Sequence, residues 1–60
     1  MTEQEFIIEA GVGERCLANG NDMLAGLAFE RCRQYLAELY TLDQTNPRIK
    51  ELEEMLPNHQ

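Results

Sequence analysis

Residues 22–42 read DMLAGLAFERCRQYLAELYTL, and the apolar members of this run return at intervals of three and four. Leu24, Ala28, Cys32, Tyr35, Leu39 and Leu42 fall on one stripe of an α-helix, widened on one flank by Ala25, Phe29, Leu36 and Tyr40. Gly26, Glu30, Arg33, Gln34, Ala37 and Thr41 take the opposite side, with Glu38 at its edge. About 20 residues at 1.5 Å per residue give a rod of roughly 30 Å. So broad an apolar side needs a partner surface, and the rest of a 60-residue chain supplies only part of one.

Just upstream, Asn19-Gly20-Asn21-Asp22 is a turn signal. Gly20 suits the left-handed residue that closes a helix, and Asn21 or Asp22 can cap the next one. A connection this short makes the two helices antiparallel neighbours. The first of them begins at Thr2-Glu3-Gln4-Glu5, a capping-box pattern, with Glu3 and Glu5 complementing the positive end of the helix dipole. Phe6, Ala10, Gly13 and Leu17 form one line, with Ile7 and Cys16 beside it, while Ile8 and Val12 fall on another side. That helix is expected to touch two surfaces, its own helix two and a second subunit. Gly11-Val12-Gly13 is open to three readings: a close helix crossing, a local break, or a ligand-contacting loop. Each glycine inside a helix costs about 1 kcal/mol relative to alanine.

Downstream, Asp43-Gln44-Thr45 interrupts the pattern, and Asn46-Pro47 is a conventional helix start. Ile49, Leu52 and Leu56 mark an inner face, with Met55 alongside and Arg48, Lys50, Glu51, Glu53 and Glu54 outside. The expected elements are helix one over about 3–18, helix two over about 22–42, helix three over about 47–56, and a frayed tail over 57–60. The fold class is therefore all-α: an antiparallel helical hairpin plus a short third helix, one domain over 1–60, assembled as a dimeric helical bundle. Pairing with a second chain is a common remedy for the small core of so short a chain.

Composition narrows the function. The net charge is −6, with eleven acids spread along the chain against five bases. No basic face exists to neutralise phosphates, and the helix from Arg48 to Leu56 would meet DNA with Glu51, Glu53 and Glu54, so direct nucleic-acid binding is not expected. No long apolar run suggests a membrane span, and the acidic N-terminus is unlike a secretion signal, so a cytoplasmic location is expected. Cys16 lies about four residues from the bend and Cys32 about twelve. That offset of roughly 12 Å exceeds the ~7 Å Cα limit for a disulfide. Both cysteines are expected as reduced, small residues in or near the core. Two distant cysteines and the lone His59 do not make a zinc site, and the chain has no serine, so no metal, cofactor, small-molecule substrate or catalytic residue is expected.

The run from Leu42 to Pro47 resembles the phrase that closes a tetratricopeptide repeat. With Pro47 aligned, however, Gly26, Tyr35, Leu39 and Leu42 stand where that family has a tyrosine, a small residue, an aromatic and an alanine, so no repeat is assigned. The expected function is that of a small acidic, non-catalytic protein–protein interaction module or regulator acting as a homodimer. Its partners would be a second copy of itself and an unidentified protein. Candidate interface residues are Phe6, Ile8 and Val12 on helix one and Phe29, Arg31 and Tyr40 on helix two; aromatics and arginine are the types that anchor interfaces. One alternative is a subunit or chaperone-like partner of a hetero-complex. In size, acidity and hairpin plan the chain is also similar to the small accessory regulators carried by phages and plasmids, which implies a second alternative, masking of a basic nucleic-acid-binding protein.

Overall fold

Asn21 serves two helices at once, and the hairpin follows from it. In the computed structural model, which describes residues 1–57, α1 runs Glu3–Ala18, α2 Asp22–Leu42 and α3 Pro47–Glu53. Gly20 adopts φ 77°, the only positive φ among the described residues. With that bend, the Asn21 amide donates to the Cys16 carbonyl at 2.8 Å and the Gly20 amide to Leu17 at 3.0 Å, the two bonds of a Schellman closure. The Asn21 side chain then accepts from the Leu24 amide at 3.3 Å and opens α2. No residue is left over for a loop, so α2 folds straight back along α1.

The other helix starts are equally local. Glu5 donates its amide to the Thr2 hydroxyl at 3.1 Å, and the Glu5 carboxylate accepts from the Thr2 amide at 2.8 Å. Asn46 accepts from the Arg48 amide at 2.9 Å, with Pro47 in the first helical position. Between α2 and α3, Asp43 accepts from both the amide and the hydroxyl of Thr45 at 3.2 and 3.0 Å, which holds the linking turn. All described regular structure is helical.

The core is the seam between α1 and α2, closed from one side by α3. Phe6 and Cys32 have no exposed surface, and Leu52 of α3 inserts beside them, Ala10 and Leu36. Tyr35 packs on Phe6 with ring centroids 5.6 Å apart and the planes tilted by 43°. The Cys32 thiol donates to the Phe6 carbonyl at 3.7 Å, which gives the buried sulfur a partner. Neither cysteine is in a disulfide.

Three expectations change on this frame. The buried stripe of α2 is Ala25, Ala28, Phe29, Cys32 and Leu36, rotated toward the flank on which α3 docks. Leu24 and Leu42, assigned to the main stripe, are exposed. Phe6 lies against Tyr35 and Gly13 against Phe29, so α2 outruns α1 and Leu42 has no α1 residue opposite it. Finally, α3 stops at Glu53 rather than 56. Its chain tightens into turns in which Met55 and Leu56 donate to the carbonyls three residues back, ahead of Pro57, which restricts Leu56. Of the tail expected over 57–60, Pro57 is described, and 58–60, with His59, lie outside the described residues.

The two glycines of α1 separate cleanly. The helix runs unbroken through both. A Cβ at Gly13 would stand 2.7 Å from Cε1 and Cζ of the Phe29 ring, whereas one at Gly11 would meet nothing within 4 Å. Gly13 thus leaves the room that the Phe29 ring occupies between the helices. Gly11→Ala should raise stability by about 0.4–1 kcal/mol through helix propensity. Gly13→Ala should lower it, because overpacking a filled core costs about 1–3 kcal/mol. Thermal melts of the pair check this, since 1 kcal/mol moves the midpoint by about 4–8 °C in a domain of this size. Equal stabilisation by both would mean that the Phe29 ring does not fill the crossing.

Candidate functional site

The hairpin has two broad sides, and α3 occupies one of them. Ile7, Ala10, Gly11 and Glu14 of α1 face Glu54 and Met55 across a small cleft. Arg33, Ala37 and Tyr40 of α2 face Ile49, Lys50 and Glu53 across a larger one. On the side away from α3, Arg31 of α2 donates to Glu9 of α1 at 3.2 Å. Helical spacing places Ile8, Val12 and Cys16 in one row beside Glu9, and Leu24, Leu27 and Arg31 in a second row on α2. Ile8, Val12, Leu24 and Leu27 are 59, 39, 50 and 51% exposed.

The six candidate interface residues therefore do not form one site. Phe6 and Phe29 are core residues of the single chain, with 0 and 3% exposure. Their aromatic rings fill the α1–α2 seam and are not available to a partner in this fold. Ile8, Val12 and Arg31 share the side opposite α3. Tyr40, also exposed, lines the α2–α3 groove instead. Leu24 and Leu27 complete the open side without having been singled out for it. Their signal was the spacing from Leu24 to Leu27 to Arg31, three and then four residues, which makes a second row beside the core stripe.

The groove on the α3 side has a volume of about 1030 Å³. Leu36, Ile49, Leu56 and Pro57 give it apolar walls, and Arg33, Lys50, Glu53 and Glu54 place both signs of charge at its rim. Among the described residues no cluster of three or more histidines, cysteines or acids could hold a metal ion. No described helix is long and apolar enough to cross a membrane.

Electrostatics at the remaining sites is structural. Arg48 bonds both Glu3 of α1 and Glu51 of its own helix, tying the start of α3 to the start of α1. The hydrogen bond from Arg48 holds the Glu3 carboxyl below its ordinary pKa, and the same bonds raise that of the guanidinium. Burial pushes the Cys32 thiol up, and the nearby Glu9 carboxylate adds to the rise. A thiol held protonated and enclosed is a poor nucleophile.

Comparison with protein families, with curated proteins and with solved structures finds no match to this chain.

Proposed function

We propose that this chain is a small, non-catalytic protein–protein interaction module that acts as a homodimer in the cytoplasm. One observation carries the reading. Among the described residues, eight apolar residues are buried, four of them alanine or cysteine, whereas eleven large apolar ones are exposed. A chain that exposes more large apolar residues than it buries has surface suited to another protein. Nine of these eleven lie on α1 and α2, which favours association along the hairpin. Unpaired Cys16 and Cys32 suit a reducing compartment.

The dimer would mask or recruit a further protein through its acidic, partly apolar outer surface. The alternative, a hetero-complex subunit or a regulator that covers a basic nucleic-acid-binding protein, is favoured by the net charge of −6. Sedimentation equilibrium across a concentration series, with and without reductant, tests the principal reading. The expected mass is twice the 6.9 kDa of the chain in both conditions. A folded monomer at every concentration would remove the homodimer and leave the heterologous partner, whose binding should weaken with salt if it is basic.

A further inference from the structure

We propose that the seat of α3 on the hairpin is a docking groove for an amphipathic helix of another protein, basic at its C-terminal end. In this fold α3 is the internal occupant that such a helix displaces. The inference rests on the reading of the chain as an interaction module, and names the kind of partner and the place it binds.

The seat shows what it takes, because a short helix already lies in it. Leu52 enters among Phe6, Ala10, Cys32 and Leu36, and Tyr35, Leu39 and Leu56 pack around that cluster. Ile49 and Tyr40 line the α2 side. Ile49, Leu52 and Leu56 follow the three-and-four spacing by which one face of a helix fills an apolar groove. At the start of the seat, Glu3 of α1 accepts from Arg48, four residues before Leu52. The seat therefore selects a helix with a base one turn ahead of a central leucine.

Its present occupant is weakly held. α3 has seven residues and a single buried side chain. Glu54 caps its C-terminal end, where an acid opposes the helix dipole. Glu54 also lines the same small cleft as Glu14 of α1, and no described base lines it with them. Residues 1–46 carry eight acids against Arg15, Arg31 and Arg33, so a base at the position of Glu54 would meet complementary charge. The Thr2 and Asn21 caps and the Gly13–Phe29 contact involve no residue of α3. The hairpin keeps all three when α3 leaves, and the link over 43–46 serves as the hinge.

The probe is a fluorescent peptide of residues 46–56 carrying Glu54→Lys, titrated into the full chain and followed by anisotropy. Saturable binding is expected, weakened about tenfold or more when the peptide also carries Leu52→Ala. The apparent affinity is scaled by the fraction of chains with α3 out of its seat. Substitutions in the chain's own α3 should therefore move it in opposite directions. Arg48→Ala removes two exposed ion pairs and should tighten binding about two- to fivefold, whereas Glu54→Lys should weaken it. At saturation the Leu52 and Glu54 amides of the chain should exchange faster with solvent while the Cys32 amide stays protected. Affinities unchanged by both substitutions, or undiminished protection of α3 at saturation, would put the peptide elsewhere and overturn the proposal. No saturable binding by a chain that sediments as a dimer would also overturn it, leaving the interaction-module reading standing. A monomer that binds the peptide and releases α3 would support it while removing the homodimer.

Discussion

Phe6→Ala is expected to remove a large part of the chain's stability. Phe6 has no exposed surface, stacks on Tyr35 and borders Cys32, Leu36 and Leu52. Truncating a buried phenylalanine costs about 3–5 kcal/mol, the lost transfer energy plus the cavity left behind. A domain of this length has a total stability of about 3–9 kcal/mol. The neighbours are ill placed to collapse into the gap, because Ala10 is short and the Tyr35 ring is held on its own helix. Leu42→Ala is the matched control. It removes a large apolar side chain that is 82% exposed, and should change stability by no more than about 0.5 kcal/mol. The measurement is urea unfolding followed by circular dichroism. A Phe6→Ala protein as stable as Leu42→Ala would show that the α1–α2 seam is not the core.

Leu52→Ala should cost about 2–5 kcal/mol, and its effect should appear first in α3. This helix has seven residues, too few to persist in water without docking. Leu52 is its one buried side chain. The Arg48 pairs with Glu3 and Glu51 are solvent-exposed and screened, and will not hold the helix once that anchor is gone. The expected result is loss of the helical signal of α3 together with faster reaction of Cys32 with a thiol reagent, since Leu52 packs in the same cluster as that sulfur. Unchanged Cys32 reactivity in this variant would mean that α3 does not cover the seam.

Helix starts were readable from sequence because capping is local. Thr2 with Glu5, Asn21 with Leu24, and Asn46 with Pro47 and Arg48 each satisfy amides within three residues. The all-helical class and the hairpin followed from these points and from the three-and-four spacing. The buried flank of α2 was not readable in the same way. Leu24 and Leu36 are the same residue on the same amphipathic helix, yet one is half exposed and the other buried, because α3 closes only the flank on which Leu36 lies. The glycines make the same point. Gly11 and Gly13 differ only in what α2 brings opposite them, and nothing local announces the Phe29 ring. The candidate interface divided for the same reason. Phe6 and Phe29 have the composition of anchors, but the partner they anchor is the neighbouring helix of their own chain.

The double duty of Asn21 has a consequence in time. Because one residue ends α1 and begins α2, the hairpin closes without ordering any loop. A helical topology built from chain neighbours folds in microseconds to milliseconds. Association between chains at micromolar concentration is slower, at the usual rate constants of about 10⁵–10⁷ M⁻¹s⁻¹. A slow, concentration-dependent phase after dilution from denaturant would therefore time the meeting of two finished hairpins, with the folding of each already over.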